Sequence, residues 1–410
     1  MGVKIVHLSS YAKGGAFAAG HRVHMALQNI ADVHSEHIVY TGDPSNEYTL
    51  LANTWFKRKW AWMLHALEKL SFLYYEKSRD IRFDYSHGLT GIPIHKNPAV
   101  LAADVIHLHW INKGFISLDG LQALLNLNKN IVWTAYDMWP FTGGCYYAGD
   151  CENNLSGCHH CKYLRNDSLE LSARKRVQKS DMLNGSGIRI ITNSLWLQGK
   201  GAAALPGVEV RHIYAGIKTS IFSPIASART TLGFGKDEFV VAFVAENLGN
   251  VRKGMQDFVD MLPLLAKGIS NLHILFVGTK KQEINAPQGV KVSYTGFIKS
   301  QQDMAMQYSA ADVYITTSLE DNLPGTVMES LACATPVFAY EIGGIAQMTS
   351  AQRGGLAQRH DFEALAQLVV EYAHKLPLEQ DVIRNAARGF ALENFDIDKV
   401  AQRHLDFYLE

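Results

Sequence analysis

The sequence is poor in the features that would place it outside the soluble globular enzymes. No uninterrupted apolar stretch approaches the ~20 residues that cross a bilayer. The apolar run in Met1-Gly2-Val3-Lys4-Ile5-Val6-His7 is too short for a secretory signal, so a cytoplasmic location is the expectation. Charge of one sign is not in excess: Lys plus Arg equals Asp plus Glu at 39 each, which leaves no global basic field to favour nucleic acid. Internal repeats and low-complexity tracts are lacking. So is a GxGxxG fingerprint, and no Walker-type lysine follows the first glycine pair, which argues against a dehydrogenase or an ATPase.

What is present is an ordinary globular composition, 47% hydrophobic and 19% charged, over 410 residues. That length suits two α/β domains of about 200 residues each. Apolar strands alternate with helical segments. Lys4–Ser9, His37–Tyr40, residues 105–109, 131–134, 188–192 and 208–213 read as a first set of strands. Phe239–Ala245, Leu272–Val277, Val313–Thr316 and Pro336–Ala339 read as a second set, with a linker near 215–225. Continuous apolar strands separated by helices predict parallel sheets covered on both faces.

One segment breaks the alternation. Trp55 to Arg82 is basic and aromatic, with Trp55, Trp60, Trp62, Phe72, Tyr74 and Tyr75. It predicts a helix. Its aromatics either fill the core, as in most amphipathic helices, or lie on a membrane surface with the cations on anionic lipid.

Three short stretches carry candidate chemistry. Residues 317–330 follow a strand and open a helix, with Asn322 placed to cap and Pro324 in the first turn. Amides near Leu323, Pro324 and Gly325, with the helix dipole, make an anion site. Glu329, about one turn in, can accept both hydroxyls of a ribose, and Asp321 can accept hydroxyls of a sugar. A capping aspartate and a solvated glutamate are the commoner fate of such a pair. Arg252-Lys253-Gly254 places two cations where a strand hands over to a helix, which suits a diphosphate and the charge that builds on a departing one. Gly14 and Gly15 let a backbone approach a ligand closely and present the amides of the next helix.

In order and spacing these stretches resemble the retaining glycosyltransferases of family 4. Asp321 and Glu329 resemble the Glu-x7-Glu signature, with Asp in the first place. Glu329-Ser330-Leu331-Ala332-Cys333-Ala334-Thr335-Pro336 and Gly343-Gly344-Ile345 match its surroundings. Ile213–Ile217 through Phe222-Ser223-Pro224 resembles the interdomain linker, and Asn394-Phe395-Asp396 the segment that crosses back. Residues 134–147, from Thr134-Ala135-Tyr136 to Cys145-Tyr146-Tyr147, resemble the colanic-acid or exopolysaccharide branch. The resemblance implies a GT-B fold: two Rossmann-like domains facing a central cleft, with a C-terminal helix crossing back to the N-domain. The expected boundaries are 1–214, 215–391 and 392–410.

It also implies roles. The donor is a nucleoside diphosphate sugar, with Glu329 on the ribose and Gly14, Gly15, Arg252, Lys253 and the Leu323–Gly325 amides on the diphosphate. His109 and Asp321 orient the sugar, and the base lies near Gly278 and Phe297. Asn247 stands where many relatives carry a second cation, Tyr136 where a histidine is common, and Ala334 where glycine is usual. No cofactor is required for transfer. The implied acceptor is a glycan or a lipid-linked glycan in bacterial polysaccharide synthesis. The protein would then work at the inner membrane face, with residues 55–82 as its contact.

Four of the five cysteines, Cys145, Cys151, Cys158 and Cys161, crowd into one loop, 145–161, with spacing C-x5-C-x6-C-x2-C. A closed structural zinc site is one reading, with His159 or His160 able to replace a thiol. Disulfides and free buried thiols are the others. Other activities remain open beside the transferase. A GT-B epimerase or phosphorylase shares the fold, although no lysine has a context suited to pyridoxal phosphate. A non-catalytic scaffold would account for Asn247, Tyr136 and Ala334.

Overall fold

The computed structural model describes residues 2–154, 157–165, 170–279 and 284–410; position 1 and positions 155 and 156 of the Cys-rich loop lie outside them. Two compact units emerge. The first runs to Ala215 and takes back Val400–Glu410; the second is Gly216–Lys399.

In the first unit the strands are β1 (Val3–Tyr11), β2 (Val33–Thr41), β3 (Thr49–Leu50), β4 (Val105–Leu108), β5 (Asn130–Ala135), β6 (Arg189–Thr192) and β7 (Glu209–His212). They form one parallel sheet in the order β3-β2-β1-β4-β5-β6-β7. Its core joins Leu8, Ile106, Leu108, Ile131, Trp133 and Ile190 to the covering helices. The last helix, Ile397–Leu409, ends on this sheet. Asn130 Nδ2 donates to the Tyr408 carbonyl at 2.8 Å, and Arg189 to that of Phe407 at 2.6 Å.

The second unit has β8 (Phe239–Asn247), β9 (Leu272–Thr279), β10 (Lys291–Tyr294), β11 (Val313–Thr316), β12 (Val337–Tyr340) and β13 (Gly354–Ala357). They too run parallel, in the order β10-β9-β8-β11-β12-β13. The expected architecture of two Rossmann-like sheets is therefore observed. The strands absent from the sequence reading, β3, β10 and β13, are all edge strands. They are short, and Lys291–Tyr294 and Gly354–Ala357 lack the apolar run of a central strand. The two segments read as crossing points lie side by side: Ile217 N–H donates to the Phe395 carbonyl at 2.8 Å, and Ile397 N–H to that of Ile217 at 3.0 Å.

The basic aromatic segment forms the helix Trp55–Phe72, with Thr54 as its N-cap. Its buried residues are Ala61, Leu64, Glu68 and Phe72. Trp55, Trp60, Trp62 and Tyr74 are 64, 55, 69 and 67% exposed, so most of the aromatics do not fill the core. Of the segment's aromatics Phe72 is the one on the buried stripe of the helix.

The zinc reading of the Cys-rich loop is not supported. Among the described residues, no three ligand atoms that include a cysteine sulfur lie within 4.8 Å of one another. The thiols are shared between two apolar environments instead. Cys145 is buried with Phe72, Tyr85, Leu164 and Leu171, and Cys161 packs on that cluster, whereas Cys151 packs on the main core. Cys158 Sγ accepts the Gly143 N–H at 3.2 Å. Burial pushes the Cys145 thiol up to about 12, so it stays protonated and a poor metal ligand at neutral pH. Hydrophobic contact and backbone bonding hold the loop without regular structure.

Candidate functional site

The second sheet reverses its strand order beside β8: β9 lies on one side and β11 on the other. In open α/β sheets ligands bind outside the carboxyl ends of the strands at such a switch point. Lys253 follows β8 and Asp321 follows β11, and the fold brings them together. Lys253 Nζ donates to Asp321 Oδ2 at 2.7 Å, with the two side chains 24 and 12% exposed.

The backbone explains why this meeting is forced. After β8, Asn247 Oδ1 accepts the Gly249 N–H at 2.9 Å, and Asn250 Oδ1 accepts that of Arg252 at 3.1 Å. A single 3-10 turn, Val251–Lys253, then reaches Gly254 at φ 66°. The segment leaving β11 is stitched to that turn. Leu319 N–H donates to the Arg252 carbonyl at 2.8 Å, and Thr317 Oγ1 donates to that of Gly254 at 2.7 Å. A Cβ on Gly254 would overlap the Thr317 carbonyl oxygen, so the approach requires glycine. Gly343, at φ 46°, lies equally close to the Asp321 carbonyl oxygen and adds the loop after β12.

Beyond Asp321 the helix Gly325–Ala332 begins, with Pro324 as its N-cap. Asn322, read as a capping residue, is buried just before it. Glu329 Oε2 accepts the Tyr308 hydroxyl at 3.3 Å, and Oε1 lies 3.7 Å from where a Cβ on Gly325 would stand. The carboxylate is thus turned back toward the start of its own helix. Arg388 holds the other end, donating to the Ala332 carbonyl at 2.6 Å and the Phe222 carbonyl at 2.7 Å. Cations are favoured at that pole of the helix dipole. Tyr308 and Thr317 were not marked by the sequence. Their signal was faint, because a tyrosine inside a helix and a threonine after a strand are both common core residues.

At the end of β9, Gly278 N–H donates to the Gly296 carbonyl at 3.0 Å, which fixes the neighbouring Phe297, 53% exposed, at the same sheet edge. In the first unit Gly14, at φ 86°, precedes the helix Gly15–Leu27; a Cβ on either glycine would meet nothing within 4 Å. His109 follows β4 and is 1% exposed. Its Nε2 meets His7 Nδ1 at 2.9 Å and its Nδ1 meets the Tyr136 hydroxyl at 2.8 Å. Both ring nitrogens therefore have protein partners. The ring lies beneath Gly20 of the first helix, where a Cβ would come 2.6 Å from Nδ1. Desolvation, then His404 and His24, pushes its pKa down to about 3, so it is neutral.

With the geometry in place, the comparisons decide the domain. Residues 238–375 match the family model described as glycosyl transferases group 1. The second unit carries a group 1 glycosyltransferase domain. One relative is an Escherichia coli K12 protein named as the colanic acid biosynthesis glycosyl transferase WcaC. It is 24% identical over 308 residues, 71% of this chain and 72% of that one. The fold is that of solved GT-B glycosyltransferases. Sucrose-phosphate synthase of Thermosynechococcus elongatus gives a TM-score of 0.66 at 16% identity, over 99% of this chain and 98% of that one. Anabaena HepE in complex with UDP-glucose gives 0.61 at 16%, over 98% of each.

One helix of the glycosyltransferase domain ends on a left-handed residue that is not glycine. Ala334 follows the helix Gly325–Ala332 at φ 58°. A left-handed residue after a helix end is the usual station of glycine, and a Cβ there costs about 1 kcal/mol. Ala334→Gly is expected to raise the stability of the domain by about 0.5–1 kcal/mol in urea unfolding. An unchanged or lowered midpoint would show that the Cβ is not strained.

Proposed function

We propose that the chain is a retaining glycosyltransferase. It moves a hexosyl group from a nucleoside diphosphate sugar to a glycan or lipid-linked acceptor in polysaccharide synthesis. The observation that carries this is the Lys253–Asp321 pair at the switch point of a group 1 domain, with Glu329 turned to the helix start beside it. Lys253 and Arg252 would neutralise the diphosphate, aided by the amides of Leu323 and Gly325. Glu329 would accept the ribose hydroxyls while Tyr308 holds its other oxygen, and Phe297 with Gly278 would border the base. Asn247, used to brace its own turn, supplies shape rather than charge. The bound UDP-glucose of HepE supports a uridine diphosphate sugar as donor, and the similarity to a colanic acid biosynthesis glycosyl transferase supports a polysaccharide product.

In the reaction the acceptor oxygen bonds to the anomeric carbon on the face from which the leaving group departs. The bond from that carbon to the β-phosphate oxygen breaks. The acceptor proton passes to the departing phosphate oxygen, and the charge left on the diphosphate is stabilised by fixed cations already in place. Asp321 would orient the sugar hydroxyls while holding Lys253. His109, buried below Gly20, acts as a positioning residue for the first helix and its glycine loop. Lys253→Ala is expected to lower donor hydrolysis and transfer by ~100-fold or more. Glu329→Ala should remove the thermal stabilisation that a saturating UDP-sugar gives the wild type, of order 2–3 kcal/mol at a hundredfold excess over Kd. Full activity in both variants would sink this function.

The acceptor side is read from the helix Trp55–Phe72. No described helix is long and apolar enough to cross a membrane. This one instead exposes Trp55, Phe56, Trp60 and Trp62 together with Lys57, Arg58 and Lys59. Amphipathic aromatics beside cations suit the headgroup level of an anionic bilayer. The chain should therefore sediment with vesicles that contain phosphatidylglycerol, and charge reversal of Lys57, Arg58 and Lys59 should release it. Binding that is absent, or that survives the reversal, excludes this docking mode.

A further inference from the structure

The first unit holds an unusual concentration of histidine, of which the proposed transfer uses only His109, as a positioning residue. His37 on β2, His7 on β1 and His107 on β4 are register partners, so three adjacent parallel strands carry histidine on one rung. His109 stacks on His7, with ring centroids 5.2 Å apart, and lies 4.2 Å from the ring of His107. His21 and His24 come from the helix above, and His404 from the last helix stands 5.5 Å from His107. Seven imidazoles thus cluster in one part of the fold, six of them buried.

We propose that His7, His107 and His109 form a binding site for one divalent transition metal, with zinc the first choice. One ring nitrogen from each lies within 4.8 Å of the others, and the three residues are 0, 0 and 1% exposed. His7 presents Nδ1 to this cluster; its Nε2, buried without a hydrogen-bond partner, would carry the proton of the neutral ring.

The existing hydrogen bonds supply the supports such a site needs. The Tyr136 hydroxyl at His109 Nδ1 would orient that ring with Nε2 toward the metal. Thr134 and Tyr408, each 2.7 Å from a nitrogen of His107, leave one of the two as an outer partner when the other nitrogen turns to the ion. The His7–His109 contact of 2.9 Å would be exchanged for two metal bonds. Nitrogens on one tetrahedral zinc at ~2.0–2.1 Å stand about 3.4 Å apart, so these rings would part by about half an ångström. His37, with its ring 5.8 Å from both His7 and His109, borders the remaining position. The ion would clamp β1 to β4 beneath the helix Gly15–Leu27 and so stiffen the glycine loop. The inference concerns the first unit only and stands apart from the transfer chemistry of the second.

The test uses the full chain carrying a tag without histidine, expressed in zinc-supplemented medium and analysed by mass spectrometry of its metals. About one ion per chain is expected, removed by a chelator and restored by zinc with a rise in Tm. Cobalt(II) in its place should give visible d–d absorption without the near-ultraviolet thiolate bands that the loop cysteines would cause. His7→Gln and His107→Gln should each abolish the cobalt spectrum. If these variants do not fold, the wild-type spectrum decides. No stoichiometric metal, a thiolate band, or a spectrum retained in folded variants would each overturn the site.

Discussion

The arrangement of the second unit depends on one half-buried ion pair. Lys253 and Asp321 come from loops that follow two different strands, 68 residues apart in sequence. Neither charge is fully in water, and removing one partner would leave the other incompletely solvated, which costs more than the pair contributes. That asymmetry pins the turn after β8 to the loop after β11. Everything near it follows from the closeness required: Gly254 against the Thr317 carbonyl, Gly343 against that of Asp321, and a helix that starts four residues further on. In the proposed reaction the cation would be held in place before the diphosphate arrives, which is the condition for electrostatic catalysis without reorganisation.

The first unit is held by a different principle. Its sheet centre carries neutral imidazoles where the second unit has Val, Ile and Phe. Hydrogen bonds of 2.7–2.8 Å to Thr134, Tyr136 and Tyr408 satisfy part of that polar core. The last helix contributes both His404 and Tyr408, so residues that the chain adds at its end complete the core laid down by its first strand.

Much of this was legible in the residues. Central strands announce themselves as apolar runs, and Val313–Thr316 is found with the same limits. Arg252-Lys253-Gly254 and Asp321 were marked by residue type and place, and the fold joins them because parallel strands deliver their following loops to one sheet edge. Three of the four edge strands, β3, β10 and β13, were not visible, since one solvated side weakens the apolar signal, whereas the edge strand β7 was read. The cysteine spacing suggested a metal, but the side chains that surround Cys145 are apolar and keep its thiol protonated. The histidine rung was hidden for another reason. Residues 7, 37 and 107 become neighbours only through strand register, which no local pattern encodes. The alternation of His107 and His109 was its one local sign.

The account rests on Lys253 as the donor's phosphate cation and on Asp321 as its brace, and a double-mutant cycle for UDP binding tests both at once. UDP lacks the sugar, so any direct contact of Asp321 with the sugar is silent. Calorimetry on the wild type, Lys253→Ala, Asp321→Ala and the double variant is predicted to show a loss of about tenfold or more with Lys253→Ala. The double variant should bind no worse than that single one, a coupling of about 1 kcal/mol or more. Strictly additive losses, or wild-type affinity in Lys253→Ala, would contradict the account.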